Sequence, residues 1–229
     1  MTMIAIAGQS NALGYLNTDP APYVVNDWVY IWSKDHWETM RPGVNTGTPG
    51  APTAWGPEVA IANDFMRDHP GEVLAIVKVA QGSTGLASDP LQVDWSPESP
   101  GELFDKATAM IRAAGDVIGG QRPVVTYWMQ GETDATDPVK AQAYEVNLRD
   151  LFSHMRSDWG SDLISMGRIA DSMPYFETVR WAQYVVDRDD PHVISFDTYT
   201  FTRQPDGIHY DAAGQLALGH DMYSGWVLP

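Results

Sequence analysis

Short, β-branched, almost uninterrupted apolar runs alternate along this chain with helix-length amphipathic segments. That alternation constrains the fold more than any other feature. The runs fall at residues 2–7 (TMIAIA), 73–80 (VLAIVKVA), 123–129 (PVVTYWM), 163–169 (LISMGRI) and 192–196 (HVISF). A strand covered on one face alternates polar and apolar residues; these runs do not, so they read as strands buried on both faces of a parallel sheet. The segments between them, at 57–68, 102–118, 138–157, 175–187 and 212–226, carry helical periodicity. Pro57 and Pro138 suit first helical turns, where a missing N–H costs little, and Asp137 suits an N-cap. The expectation is a single domain over 1–229, a three-layer α/β/α sandwich around a mainly parallel sheet of about five strands.

Two stretches break the rhythm. Residues 17–53 are rich in Pro, Gly, Asn and Thr and carry Trp28, Trp32 and Trp37; residues 82–101 carry Trp95. Both read as long loops, which in compact domains tend to be functional.

Charge narrows the partners. Fourteen basic residues against thirty acidic ones leave a net charge of −16, a field that repels phosphate backbones and anionic lipid, so no nucleic acid and no membrane surface is expected. The absence of cysteine removes thiol catalysis, zinc–cysteine sites, iron–sulfur clusters and disulfides. No apolar run reaches the roughly 20 residues needed to span a bilayer. Residues 1–7 read as a strand rather than a leader.

In open parallel sheets, ligands bind beyond the carboxyl ends of the strands. Four polar, glycine-containing clusters fall there: Gly8-Gln9-Ser10-Asn11, Gln81-Gly82-Ser83-Thr84-Gly85, Gln130-Gly131-Glu132-Thr133-Asp134 and Pro205-Asp206-Gly207-Ile208-His209. A serine hydroxyl becomes a nucleophile only beside a base that is itself oriented. Ser10 is the candidate nucleophile, flanked by Gln9 and Asn11 as supporting residues. Asp206 and His209, three apart on a turn, can touch, leaving one ring nitrogen to take the serine proton. Three donors could face a developing oxyanion: the N–H groups of Ser10 and Gly82 and the amide of Gln130. Each has a plainer alternative, since Gly, Ser and Asn also dominate ordinary turns and Gln130 could be a buried amide satisfying loop carbonyls.

Together with Trp55-Gly56-Pro57-Glu58, Trp128 and Met129 before Gln130, and Val179-Arg180-Trp181-Ala182-Gln183, these clusters resemble the ordered blocks of the SGNH hydrolases. Within that superfamily they are most similar to the sialate O-acetylesterase and acetylxylan esterase branch. The resemblance runs over nearly the whole chain. It implies a flavodoxin-like sandwich and a cofactor-free serine esterase acting on an acetylated carbohydrate, without a metal. Ser10 would be its nucleophile, His209 its general base and acid, Asp206 the orienting carboxylate, and Gly82 and Gln130 the rest of the oxyanion hole.

Other readings stand beside it. Glu132 with Glu58 could be a glycosidase pair, or Glu132, Asp134 and Asp137 could hold a cation. The favoured reading of Glu132 is structural support for the Gln130 turn. Ser83 is a rival nucleophile. A non-catalytic carbohydrate-binding domain is also possible, since loop tryptophans stack on sugar rings. For either carbohydrate reading, Trp28, Trp32 and Trp95 are the candidate substrate-binding aromatics, of which one or two are expected to line the cleft and the others to be structural.

Overall fold

The computed structural model describes residues 1–226. Strands β1 (Thr2–Gly8), β2 (Val29–Ser33), β3 (His36–Thr39), β4 (Leu74–Ala80), β5 (Val125–Met129), β6 (Leu163–Arg168) and β7 (Val193–Asp197) form one sheet. The helices are α1 (Ser10–Leu13), α2 (Glu58–Asp68), α3 (Leu103–Val117), α4 (Pro138–His154), α5 (Phe176–Asp189) and α6 (Ala212–Trp226). Strand order is β3-β2-β4-β1-β5-β6-β7, and every pairing is parallel except that of β2 with β3. The three-layer α/β/α expectation holds, with seven strands in place of about five.

The two additional strands lie inside the 17–53 stretch. They form a hairpin whose turn residues, Lys34 and Asp35, have φ of 50° and 60°. Two left-handed residues in a row make the turn that matches strand twist. Lys-Asp is not the Asn-Gly or Asp-Gly pair that usually announces it. Trp32 and Trp37 face each other across the hairpin, with ring centroids 5.3 Å apart and planes near perpendicular.

The central strands are apolar on both faces because both faces are covered: Met3 to Ala7, Leu74 to Val77 and Val125 to Met129 are all buried. Register then decides where function can sit. Gly8 pairs with Ala80 on one side and Met129 on the other, so β1, β4 and β5 end level with one another. The three clusters that follow begin side by side. Gly8 is required here: its φ is +140°, and a Cβ would lie 2.0 Å from the Met129 carbonyl oxygen.

Candidate active site

Ser10 opens α1 at the carboxyl edge, 5% exposed. Short as it is, α1 is pinned at both ends. At its far end the Lys78 ammonium on β4 donates to the Leu13 carbonyl at 2.8 Å and to Glu58 Oε2 at 2.7 Å. Glu58 Oε1 in turn accepts the Gly56 N–H. Burial lowers the Lys78 pKa, with the Glu58 carboxylate opposing that shift. This corrects the glycosidase expectation. Glu58 is wholly buried and committed to an ion pair, with no face left for a sugar.

The near end of α1 is tied to the chain's last cluster. Asn11 Oδ1 accepts the Tyr210 N–H at 3.0 Å, and its Nδ2 donates to the Ile208 carbonyl at 3.3 Å and to Glu132 Oε1 at 2.6 Å. Gln215 Nε2 donates to the Asn11 carbonyl. The side chain beside Ser10 thus grips the peptide groups on both sides of His209. Glu132 is the buried anchor of that grip. Burial raises its pKa, while the Asn11 hydrogen bond pulls the other way.

His209 itself is set by an Asx-type turn. Asp206 Oδ1 accepts the N–H groups of Ile208 and His209, and Gly207 supplies a φ of +72°. Asp206 Oδ2 stands 2.6 Å from His209 Nδ1. Burial pushes the Asp206 carboxyl up, but the His209 ring and the two turn N–H groups outweigh it and hold its pKa below the ordinary value. An ionised carboxylate only accepts, so the proton belongs on Nδ1 and Nε2 remains an acceptor. Among the described residues, neither His209 Nε2 nor the Ser10 hydroxyl makes a hydrogen bond.

Gly82 lies against Ser10: a Cβ built on it would be 3.6 Å from Ser10 Cβ. The backbone N–H groups of Ser10 and Gly82 have no acceptor among the described residues. Two donors are therefore free beside the hydroxyl. Ser83 is exposed and left-handed (φ 60°), at the tip of a turn closed by Thr84 Oγ1 on the Gln81 carbonyl.

Gln130 departs from the oxyanion-donor expectation. Its side chain is fully buried, and Nε2 donates to Asp134 Oδ2 at 2.6 Å and to the Thr84 carbonyl at 3.0 Å, with Gln9 Oε1 at 3.3 Å. Its Oε1 accepts from Tyr144 Oη. The amide's two N–H groups are spent holding the second and third clusters together, so none is left for an acyl oxygen. Gln9 does the same from the turn after β1, its Oε1 also accepting the N–H groups of Gly131 and Thr133. The cation reading falls with this arrangement. Asp134 is occupied by Gln130 and by the Leu86 and Ala87 N–H groups, while Asp137 caps α4 through the Val139 and Lys140 N–H groups. Among the described residues, no group of three or more His, Asp or Glu is placed to hold a metal ion.

Beside Gly82 a cleft of about 810 Å³ opens between the ends of β2 and β4, the 45–51 loop and α3. Its wall is apolar (Ile31, Trp32, Leu103, Met110) and its rim carries Lys34, Lys106 and Asn45. Of the three expected aromatics, only Trp32 lines this cleft. Trp95 is fully buried, edge-on to Trp128 at 5.2 Å. Trp28 is exposed, but its carbonyl receives the Leu74 N–H at the amino end of the sheet, the wrong edge. The residue missed from sequence is Tyr15, which lines the cleft and puts its ring 4.9 Å from that of His209. Its position one residue past the Gly14 helix stop, so close behind Ser10, was the available signal.

Comparison with known proteins gives the family and the fold. The family described as carbohydrate esterase, sialic acid-specific acetylesterase, matches residues 1–226. A probable carbohydrate esterase of Arabidopsis thaliana is 24% identical over 200 residues, covering 86% of this chain and 71% of that protein. An X-ray structure of an Arabidopsis thaliana protein superposes with a TM-score of 0.85 at 22% identity, covering 99% of this chain and 98% of the other. A carbohydrate acetylesterase from Xanthomonas citri superposes with a TM-score of 0.70 at 14% identity, over 98% of this chain and 55% of that one.

Proposed function

Since this chain belongs to the sialic acid-specific acetylesterase family of carbohydrate esterases, we propose that it removes O-acetyl groups from a sugar through an acyl-enzyme on Ser10. The observation that carries the reading is the Asn11 grip, which sets His209 against the serine's own neighbour while Asp206 fixes the ring at 2.6 Å.

The steps follow from the groups in place. His209 Nε2 takes the Ser10 proton as Oγ attacks the acetyl carbonyl. The carbonyl oxygen gains negative charge, which the free N–H groups of Ser10 and Gly82 stabilise, each such donor contributing roughly 3 kcal/mol in related chemistry. Asp206 stabilises the imidazolium without becoming protonated. The imidazolium then gives its proton to the departing sugar oxygen. Water, activated by the same nitrogen, hydrolyses the acetyl-serine and releases acetate. The Ser10 hydroxyl and His209 Nε2 share no hydrogen bond in this structure, and in serine hydrolases of this kind such bonds commonly tighten only when substrate binds.

The test is Ser10→Ala assayed for acetate release from p-nitrophenyl acetate and from acetylated sugars, with circular dichroism as the fold control. Loss of turnover in a folded variant supports the reading; retained turnover overturns it.

A further inference from the structure

On the other side of the catalytic turn from the cleft lies a second, open groove of about 470 Å³, lined by Arg168, Phe176, Arg180, Trp181, Tyr184 and Tyr199. Trp181, Tyr184 and Tyr199 are 61%, 43% and 48% exposed. The Trp181 and Tyr184 rings sit 5.5 Å apart with planes inclined by 37°, forming a canted platform, and the Arg180 guanidinium lies 5.6 Å from the Tyr199 ring centre. Leaving large aromatic faces in water forgoes burial, and a cluster of them on one surface marks a contact site. The arginines are held rigid: Arg180 by Asp197 at 2.7 Å and the Ile169 carbonyl, Arg168 by Ser195 Oγ at 2.9 Å.

We propose that this groove binds sugar units of the same carbohydrate chain whose acetyl ester reaches Ser10, so that the substrate is an oligo- or polysaccharide rather than a single sugar. The inference rests on the proposed esterase reading and extends it.

Three observations favour a glycan as occupant. First, the groove shares the catalytic edge: Arg168 ends β6, and Tyr199 lies two residues beyond Asp197, its register partner's strand end. With strands about 4.8 Å apart, β6 and β7 lie two and three strand spacings from β1, a span of a few sugar rings. Second, the groove is joined to the catalytic turn. The Asp171 carboxyl raises the pKa of the Tyr199 phenol, and Asp171 ion-pairs at 2.9 Å with Arg203, which donates to the Gly207 carbonyl at 3.0 Å. Third, exposed aromatic faces beside fixed guanidinium N–H groups match both faces of a pyranose, whose C–H surface stacks on rings while its hydroxyls accept hydrogen bonds.

The experiment compares wild type with a Trp181→Ala/Tyr184→Ala variant on three substrates: p-nitrophenyl acetate, O-acetylated monosaccharides, and O-acetylated xylan and pectin. Wild type is expected to show a lower KM for one acetylated polymer than for its monosaccharide. The variant should raise that polymer KM about tenfold, equivalent to ~1.4 kcal/mol of lost stacking, leaving p-nitrophenyl acetate turnover unchanged. Equal KM for polymer and monosaccharide in wild type, no polymer turnover, or an unaffected variant would overturn the inference while leaving the esterase reading intact. So would sedimentation showing that the double variant dissociates a dimer, since the face would then join two copies. Loss of p-nitrophenyl acetate turnover in wild type would instead remove the esterase reading itself.

Discussion

Asn11 straddles His209: its side-chain amide accepts from the peptide N–H that follows the histidine and donates to the carbonyl that precedes it. Residues near opposite ends of the sequence are brought together by one side chain adjacent to Ser10. The His209 imidazole is therefore positioned by its backbone as well as by Asp206. Replacing Asn11 by Ala should lower kcat about a hundredfold, the scale of a 1 Å misplacement of catalytic groups, with KM for p-nitrophenyl acetate little changed. Steady-state kinetics separate this from loss of substrate binding, which would raise KM instead.

Asp206→Asn should keep the turn but leave the imidazole in the wrong tautomer, reducing kcat by roughly three to four orders of magnitude, as for the orienting carboxylate of serine proteases. The stability effect has a definite sign. The folded Asp206 pKa lies below its ordinary value, so its contribution is present above the unfolded pKa and is lost as pH falls through the folded one. The melting-temperature gap between wild type and the variant should be constant near neutrality and close in acid. A gap that widened in acid would contradict this.

Glu132 carries the opposite sign. Burial raises its pKa, so its neutral form is favoured in the fold and stability is lost as pH rises through the raised value. Glu132→Gln removes that loss. The melting temperature of the variant minus that of wild type should therefore increase from pH 4 to pH 7. A pH-independent difference would show that the carboxyl's ionisation is not coupled to folding.

The Glu58–Lys78 pair is expected to matter for stability, not chemistry. Glu58→Gln leaves an ammonium buried without its counter-charge, at a cost of about 3–5 kcal/mol. Denaturant unfolding measures it. A Glu58→Leu/Lys78→Met double variant should recover much of the loss, because removing both charges removes the desolvation cost. If Glu58→Gln were fully stable yet inactive, Glu58 would belong to the chemistry.

How far the sequence disclosed all this depends on the kind of signal. The β1, β4, β5, β6 and β7 strands were legible because burial on both faces leaves long apolar runs, and the edge clusters follow from where those runs end. The β2–β3 hairpin was hidden by a Lys-Asp turn whose left-handed geometry is unusual for its residues. The tryptophans misled for a different reason: a loop position says nothing of which way an indole points, and Trp95 points into the core. Gln130 was ambiguous between donor and scaffold, and only its three-dimensional neighbours, Asp134 and the Thr84 carbonyl, decide it. Tyr15 offered only its place just past Gly14 behind Ser10; its relation to His209 arises from two turns meeting at the edge.

The central claim is that the Ser10 hydroxyl is activated by His209. Reaction with a fluorophosphonate followed by peptide mass analysis measures this directly. One label per chain on the Ser10 peptide, absent from a folded His209→Ala variant, is the predicted result. Labelling at Ser83, or no labelling of the wild type, would contradict it.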